Sequence, residues 1–254
     1  MIADALRPFA GRLVRAVMRR RLRSGLAALR VEGLAELAAL AELAALAELA
    51  ALAELAALAR ERPVLLCAIH VAFWDGFVAE LVSWRAGLAA RAWMLASQLR
   101  RHPQLAWIGA FGAEEDARDG ARALRHAARL LDRPGRAVWL FPQGRQRPQW
   151  ARPLGFKGGA ALLARRVPGA AVVPVALHYE LGERERPEAW LRFGPPMAPG
   201  FSTDALEAAV ELQLFELARA VLEGCDVPSL FALPRRLGEG PASRALARLV
   251  RPQP

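Results

Sequence analysis

Between Pro63 and Tyr179 the chain alternates short apolar runs with helical patterns, and this alternation restricts its fold more than any other feature. The runs "PVLLCAI" (63–69), "RAWML" (91–95), "RAVWLF" (136–141) and "AAVVPVALHY" (170–179) suit strands buried on both faces. A fifth run, "EAWLRFG" (188–194), carries charge among its apolar residues and reads as a possible edge strand. Between the runs lie "DGFVAELVSWRAG", "DARDGARALRHAARLLDR" and "GFKGGAALLARRV"; after them, with Ser202 as N-cap, comes "TDALEAAVELQLFELARAVLEG". Strands separated by helices imply an α/β fold with a largely parallel central sheet flanked by helices. In such sheets functional sites lie beyond the carboxyl ends of the strands. The 254 residues suffice for one large domain of this kind.

Two segments stand before this pattern. Residues 1–25 hold seven Arg and one Asp, with Phe9, Leu13, Val17 and Leu22 at roughly helical spacing. This predicts a basic amphipathic N-terminal helix, which either lies in a membrane interface or packs on its own domain with Arg outward. Residues 35–58 are "AELAAL" repeated four times, all strong helix formers, predicting one inserted helix of about 36 Å at 1.5 Å per residue. Leucine every third residue steps 300° around a helix and forms no single stripe, so neither a coiled coil nor a solenoid follows. The expectation is a low-complexity insert without chemistry of its own. The organisation is then the helix of 1–25, a domain over 26–224 that includes the insert, and a Pro/Arg-rich tail over 225–254.

No window of about 20 residues is both apolar and uncharged, so no membrane-spanning helix is expected. The Arg-interrupted N-terminus does not resemble a secretory signal, which leads to an expectation of a cytoplasmic protein. Cys67 and Cys225, far apart, read as packed thiols. A net charge of +10 favours anionic partners such as lipid head groups or cofactor phosphates. Of 35 basic residues only Lys157 is lysine, so much of the Arg reflects compositional bias and ordinary surface. Nothing resembles a helix-turn-helix, a zinc finger or an interleaved aromatic–basic groove, and nucleic acid is not an expected partner.

His70 follows the first apolar run, at the carboxyl end of a predicted strand. A buried imidazole needs a partner, and Asp75 is the nearest candidate. The two do not share a helical face, but they meet if the chain turns at His70 and Asp75 enters the first turn of the next helix, where the dipole favours a carboxylate. Such a pair fits two roles: a structural tie between strand and helix, or a general base whose tautomer the Asp fixes. A second cluster, "WLFPQGRQRPQ" (139–149), ends another strand with Gly144 and the donors Arg145, Gln146 and Arg147, a plausible anion cradle at the same sheet edge. In "RPLGFKGGAALL", Lys157 at the start of a helix would also favour an anion.

In this order and at these separations, "HVAFWDGF", "FPQGRQRP", "FKGGAALLA" and "AAVVPVALHYE" resemble the lysophospholipid acyltransferase family, which includes bacterial 1-acyl-glycerol-3-phosphate acyltransferases. The family hallmarks are H-x-x-x-x-D, a later F-P-E-G-T-R and a V-P-V strand. The resemblance covers about residues 26–224 and implies a glycerol-3-phosphate acyltransferase-like fold and a role in phospholipid biosynthesis. It implies that His70 activates an acceptor hydroxyl, that Asp75 orients it, and that the hydroxyl attacks the thioester of acyl-CoA or acyl-carrier protein, with no metal and no further cofactor. It also implies that Phe141, Pro142, Gln143 and Gly144 help bind the acceptor's glycerol phosphate. Backbone N–H groups or Lys157 could supply the oxyanion donors.

Ile69, Gln143 and Arg145-Gln146 depart from the family's Asn, Glu and Thr-Arg. Where the family carries a Gly and an Arg before the helix preceding its F-P-E-G segment, "WIGAFGAEEDARDG" (107–120) offers Gly109, Gly112 and Arg118, but the acidic Glu114 and Glu115 stand nearer the expected position. These changes point toward another lipid head group or a glycosylated lipid. The resulting expectation is a peripheral enzyme on the cytoplasmic face of the cell membrane, with a non-catalytic membrane-binding protein of the same fold as the rival. His102 and His126 read as surface residues and His178 as a packed strand residue; no spacing suggests a zinc site.

Overall fold

The computed structural model describes residues 2–32, 44–114, 116–182, 185–225, 227 and 229–232. Its centre is one eight-stranded sheet formed by β1 (Ala28–Glu32), β2 (Val64–Ala68), β3 (Ala89–Leu95), β4 (Phe111–Ala113), β5 (Arg136–Leu140), β6 (Ala171–Glu180), β7 (Glu188–Phe193) and β8 (Ser229–Ala232), in the order β4-β3-β5-β2-β6-β7-β1-β8. β2, the strand that ends at the His70 segment, is central. It pairs in parallel with β5 on one side and β6 on the other. All five of its residues are buried, as a Val/Leu-rich strand covered on both faces requires. β3 pairs in parallel with β5 and β4, while β6 with β7 and β1 with β8 are antiparallel.

The 188–194 segment is not an edge strand. β7 lies between β6 and β1, because "ALRVE" at 28–32, which the sequence did not mark as a strand, pairs with it in parallel. The charges that made β7 look exposed are matched across that ladder. Arg30 Nε donates to Glu188 Oε2 at 2.7 Å, and Arg192 donates to Glu32, its direct neighbour in register, and to Gln213 Oε1.

Helices cover both faces. On one side α3 (Asp75–Arg85) is fixed to β5 through Ser83, whose hydroxyl donates to Ala79 O at 2.7 Å and accepts from the buried Trp139 Nε1 at 2.8 Å. α7 (Thr203–Leu222) packs against β6 and β7, with Ser202 Oγ accepting from Ala205 N at its N-terminus. Three further helices complete the α/β order: α4 (Ala96–Arg101), α5 (Ala117–Leu130) and α6 (Gly159–Arg166).

The N-terminal segment is a helix, α1 (Ile2–Gly25), that packs on its own domain. Its inner face buries Met18 and Leu22, Arg15 Nε donates to Glu80 Oε1 at 2.6 Å, and Arg19 lies over the Trp84 ring at 4.5 Å. At its end a methyl group on Gly25 would stand 2.2 Å from Cζ2 of Trp74, so only glycine allows this approach. The opposite face leaves Phe9, Leu13 and Val17 exposed at 71%, 65% and 50%.

Of the repeat, the structure describes α2 (Ala44–Glu61), which runs beyond the last unit; residues 35–43 lie outside the described residues. α2 does not project from the domain. Ala51, Leu52, Leu55 and Ala59 are buried and Leu58 half-buried, because alanines between the spiralling leucines let a broad face of the helix settle on the core. The tail beyond Ala232 and Glu115 also lie outside the described residues; within the tail, Ser229–Ala232 forms β8.

Candidate active site

Three neighbouring strands, β5, β2 and β6, bring their carboxyl ends to one edge of the sheet, and the residues of interest converge there. His70 leaves β2 two residues after its end, the chain turns through 71–74, and Asp75 is the first residue of α3. His70 Nδ1 and Asp75 Oδ2 lie 2.7 Å apart. The Asp75 side chain is fully buried, yet each oxygen is occupied: Oδ2 also accepts from Val71 N at 2.7 Å and Ala72 N at 3.0 Å, and Oδ1 accepts from the Tyr179 hydroxyl at 2.7 Å. Two backbone N–H groups, the imidazole and a hydroxyl thus supply the hydrogen bonds that water would give an exposed carboxyl.

A carboxylate on Nδ1 makes that nitrogen the N–H and leaves the lone pair on Nε2. Nε2 has no hydrogen bond to any described residue, and the His70 side chain is 32% exposed, so a proton donor from outside can reach it. The arrangement can therefore accept a proton at Nε2 and hold the imidazolium by the buried charge behind it.

The loop after β5 clamps the His70 turn. Gln143, buried, accepts from His70 N through Oε1; Arg147 N donates to His70 O at 2.9 Å; Gln146 Nε2 donates to Val71 O at 3.1 Å; and the Phe141 ring lies 4.9 Å from the imidazole. Gly144 turns the loop with φ +72°, and a methyl group there would meet Lys157 Nζ at 2.8 Å. Lys157 N donates to Pro142 O at 2.9 Å, which draws the Lys157 segment onto the same loop; Lys157 itself precedes α6 by two residues and is not in its first turn. The Arg147 guanidinium donates to Pro153 O and Leu154 O at 2.9 and 2.7 Å, and Arg145 is exposed. Thus Phe141, Pro142, Gln143, Gly144 and Lys157 gather around His70, Gln143 and Arg147 spend their side chains on the protein's own backbone, and Arg145 faces solvent.

Gly109, Gly112, Glu114 and Arg118 do not join the cluster. They lie in or beside β4, at the sheet edge three strands from β2, where Glu114 pairs with Arg100. His102 and His126 are exposed, His126 resting 4.9 Å from the Phe111 ring. His178 is buried and its Nε2 lies 3.1 Å from Glu180 Oε2. It lines a groove of about 650 Å³ with Trp150, Leu214 and Phe215, and because successive strand residues point to opposite faces, that groove is across the sheet from Tyr179 and His70. Cys67 is buried in β2, where burial raises its thiol pKa.

Tyr179 is the residue at this edge that sequence reasoning missed. The signal was present, since it is the chain's one tyrosine and stands near the carboxyl end of a strand, but its partner is 104 positions away. Its backbone is held by the Gln149 side chain, which donates to Tyr179 O and accepts from Tyr179 N.

A family model described as Acyltransferase matches residues 51–178, half of the chain, and takes in His70, Asp75 and the loop after β5. In fold the chain is similar to the crystal structure of the 1-acyl-sn-glycerophosphate (LPA) acyltransferase PlsC from Thermotoga maritima, with a TM-score of 0.53 and 17% identity over 87% of this chain and 83% of that one. No match is found among curated proteins.

Proposed function

Because the chain belongs to the acyltransferase family, we propose that it transfers a fatty acyl group from acyl-CoA or acyl-carrier protein to a hydroxyl of a lysophospholipid or related lipid, with His70 as general base. One observation carries this reading: a solvent-reachable imidazole whose Nδ1 is 2.7 Å from a fully buried carboxylate. The acceptor hydroxyl gives its proton to His70 Nε2 as its oxygen attacks the thioester carbonyl. The new C–O bond forms, the C–S bond breaks on collapse of the tetrahedral intermediate, and the proton passes from His70 to the departing thiolate. Asp75 holds the tautomer and compensates the transient imidazolium. Lys157, or N–H groups of the loops around His70, would donate to the oxyanion. The aromatic group Phe73, Trp74 and Phe77, with ring centroids 5.1 to 5.5 Å apart beside the His70 turn, offers an apolar ledge for an acyl chain.

The same reading sets the enzyme on the cytoplasmic face of a membrane. Phe9, Leu13 and Val17 face outward on α1 with exposed Arg12 and Arg20 beside them, and Arg21 lies 5.9 Å from the Phe73 ring, which links this face to the His70 turn. Apolar side chains ringed by arginine suit an interface rich in anionic lipid. A glycosylated lipid acceptor is the second reading, favoured by the engagement of Gln143 and Arg147 on backbone atoms.

The test is transfer of radiolabelled acyl groups from acyl-CoA and from acyl-carrier protein into total lipid, with the product identified by mass spectrometry. The wild-type chain should form one product class that His70→Ala does not form. Undiminished transfer by His70→Ala would remove His70 from the mechanism, and the product's head group decides between the two acceptor readings.

A further inference from the structure

We propose that Tyr179 is a positioning residue of the active site that sets the basicity of His70 through Asp75, an inference that rests on the reading of His70 as the base. The argument begins with the two oxygens of Asp75. Oδ2 faces the imidazole and two backbone N–H groups, and Oδ1 receives the Tyr179 hydroxyl at 2.7 Å. A donor on one carboxylate oxygen withdraws charge from the other, so the Tyr179 bond weakens the pull of Asp75 on the Nδ1 proton and keeps the imidazolium from being over-stabilised. A base that must release its proton to the leaving thiolate benefits from that restraint. The same bond fixes the carboxylate plane, with Gln149 holding the Tyr179 backbone on the other side.

The other charged groups are placed so as not to blur this effect. From α3 the group facing His70 is Asp75, and from β6 it is Tyr179; His178 and Glu180 flank Tyr179 in that strand and point to the opposite face of the sheet. The loop after β5 puts neutral Phe141 against the ring and neutral Gln143 on the His70 backbone N–H, holds the Arg147 guanidinium on Pro153 and Leu154, and leaves Arg145 exposed. Lys157 Nζ lies at Gly144, and from α1 Arg21 lies over Phe73. Burial, with the Asp75 charge and its hydrogen bond added, raises the Tyr179 phenol well above its ordinary value, so it remains the donor throughout the working range.

Because Tyr179 is the one tyrosine in the sequence, replacing all tyrosine by 3-fluorotyrosine or 3,5-difluorotyrosine during expression alters this hydroxyl alone. Fluorination makes the phenol a stronger donor, and Tyr179→Phe removes it. The experiment follows the ¹⁵N signals of His70, assigned by their loss in His70→Gln, through a pH titration of the wild type, Tyr179→Phe and both fluorinated chains, with the pH profile of kcat/KM measured in parallel. The expected result is a graded order: the His70 pKa and the rising limb of the profile move up by about half to one pH unit in Tyr179→Phe, three- to tenfold in the proton dissociation constant, and down with successive fluorination. A His70 titration unchanged across the fluorinated chains and Tyr179→Phe would overturn the proposal and leave Tyr179 as packing. If Tyr179→Phe does not fold, the fluorinated pair carries the test. The titration needs no turnover, so a graded His70 shift without acyl transfer would count against the acyltransferase mechanism and still uphold the coupling.

Discussion

Four donors converge on the carboxylate of Asp75, and replacing it by Asn would turn an amide N–H₂ toward at least one of them. Because the Val71 and Ala72 N–H groups can only donate, Asp75→Asn keeps its carbonyl oxygen on them and on His70 and turns its amide to the Tyr179 hydroxyl, which can reverse to accept. The tautomer is kept but the charge behind the imidazole is lost, and kcat should fall by about 10²–10⁴ with the fold kept, which steady-state kinetics and circular dichroism check together. Tyr179 also makes a prediction about stability. Its folded pKa is raised, so above the ordinary value near 10 the unfolded chain loses a proton that the folded chain keeps. The folded state then binds more protons, and stability falls as pH rises. Denaturant titrations from pH 9 to about 11 should show a slope steeper by up to about 1.4 kcal/mol per pH unit in the wild type than in Tyr179→Phe, with the contribution of buried Cys67 common to both. At this scale His70 and Asp75 were legible because a polar pair beside an apolar run demands an explanation. Gln143 was legible as a residue of interest but not as the acceptor for His70 N, since a backbone partner 73 positions away leaves no mark in sequence.

At the scale of elements, α3 matters because it carries Asp75, and its position depends on the Ser83 link to Trp139. Ser83→Ala leaves the buried indole N–H without an acceptor and should cost about 1–3 kcal/mol in chemical denaturation, a loss that Ser83→Thr would recover only where the added methyl fits. The described part of the repeat packs on the core, a placement that its composition left open. Leu55 is 1% exposed in α2, so Leu55→Ala should cost about 2–5 kcal/mol, whereas substitution of exposed Ala53 by Glu should change stability by less than about 0.5 kcal/mol. The internal position of β7 was hidden for a related reason: "ALRVE" is too short to signal a strand by itself, and it becomes one through the Glu32–Arg192 and Arg30–Glu188 pairs.

Taken whole, the molecule has a helix that divides its labour, with Gly11, Met18, Leu22 and Gly25 turned to the domain and Phe9, Leu13 and Val17 turned away. The triple change Phe9, Leu13 and Val17 to Ser should abolish flotation with phosphatidylglycerol vesicles while leaving thermal stability near that of the wild type. Binding of the unchanged protein should weaken as salt is raised from about 50 to 500 mM, as expected when arginines supply part of the attraction. Flotation that survives the triple change would remove this face of α1 from the proposed membrane contact.

The sequence by itself determined the alternation of strands and helices, hence a mostly parallel sheet, and put His70, Asp75 and the 141–147 loop at carboxyl ends of strands, because local periodicity and turn chemistry are written in neighbouring residues. Tertiary structure alone decided that β5, β2 and β6 lie side by side, that Tyr179 closes on Asp75, that Gln143 faces inward, and that the repeat packs. Those contacts join residues distant in the chain: apolar burial drives the packing, and each buried donor or acceptor is tolerated only because a distant partner meets it, which no local pattern encodes.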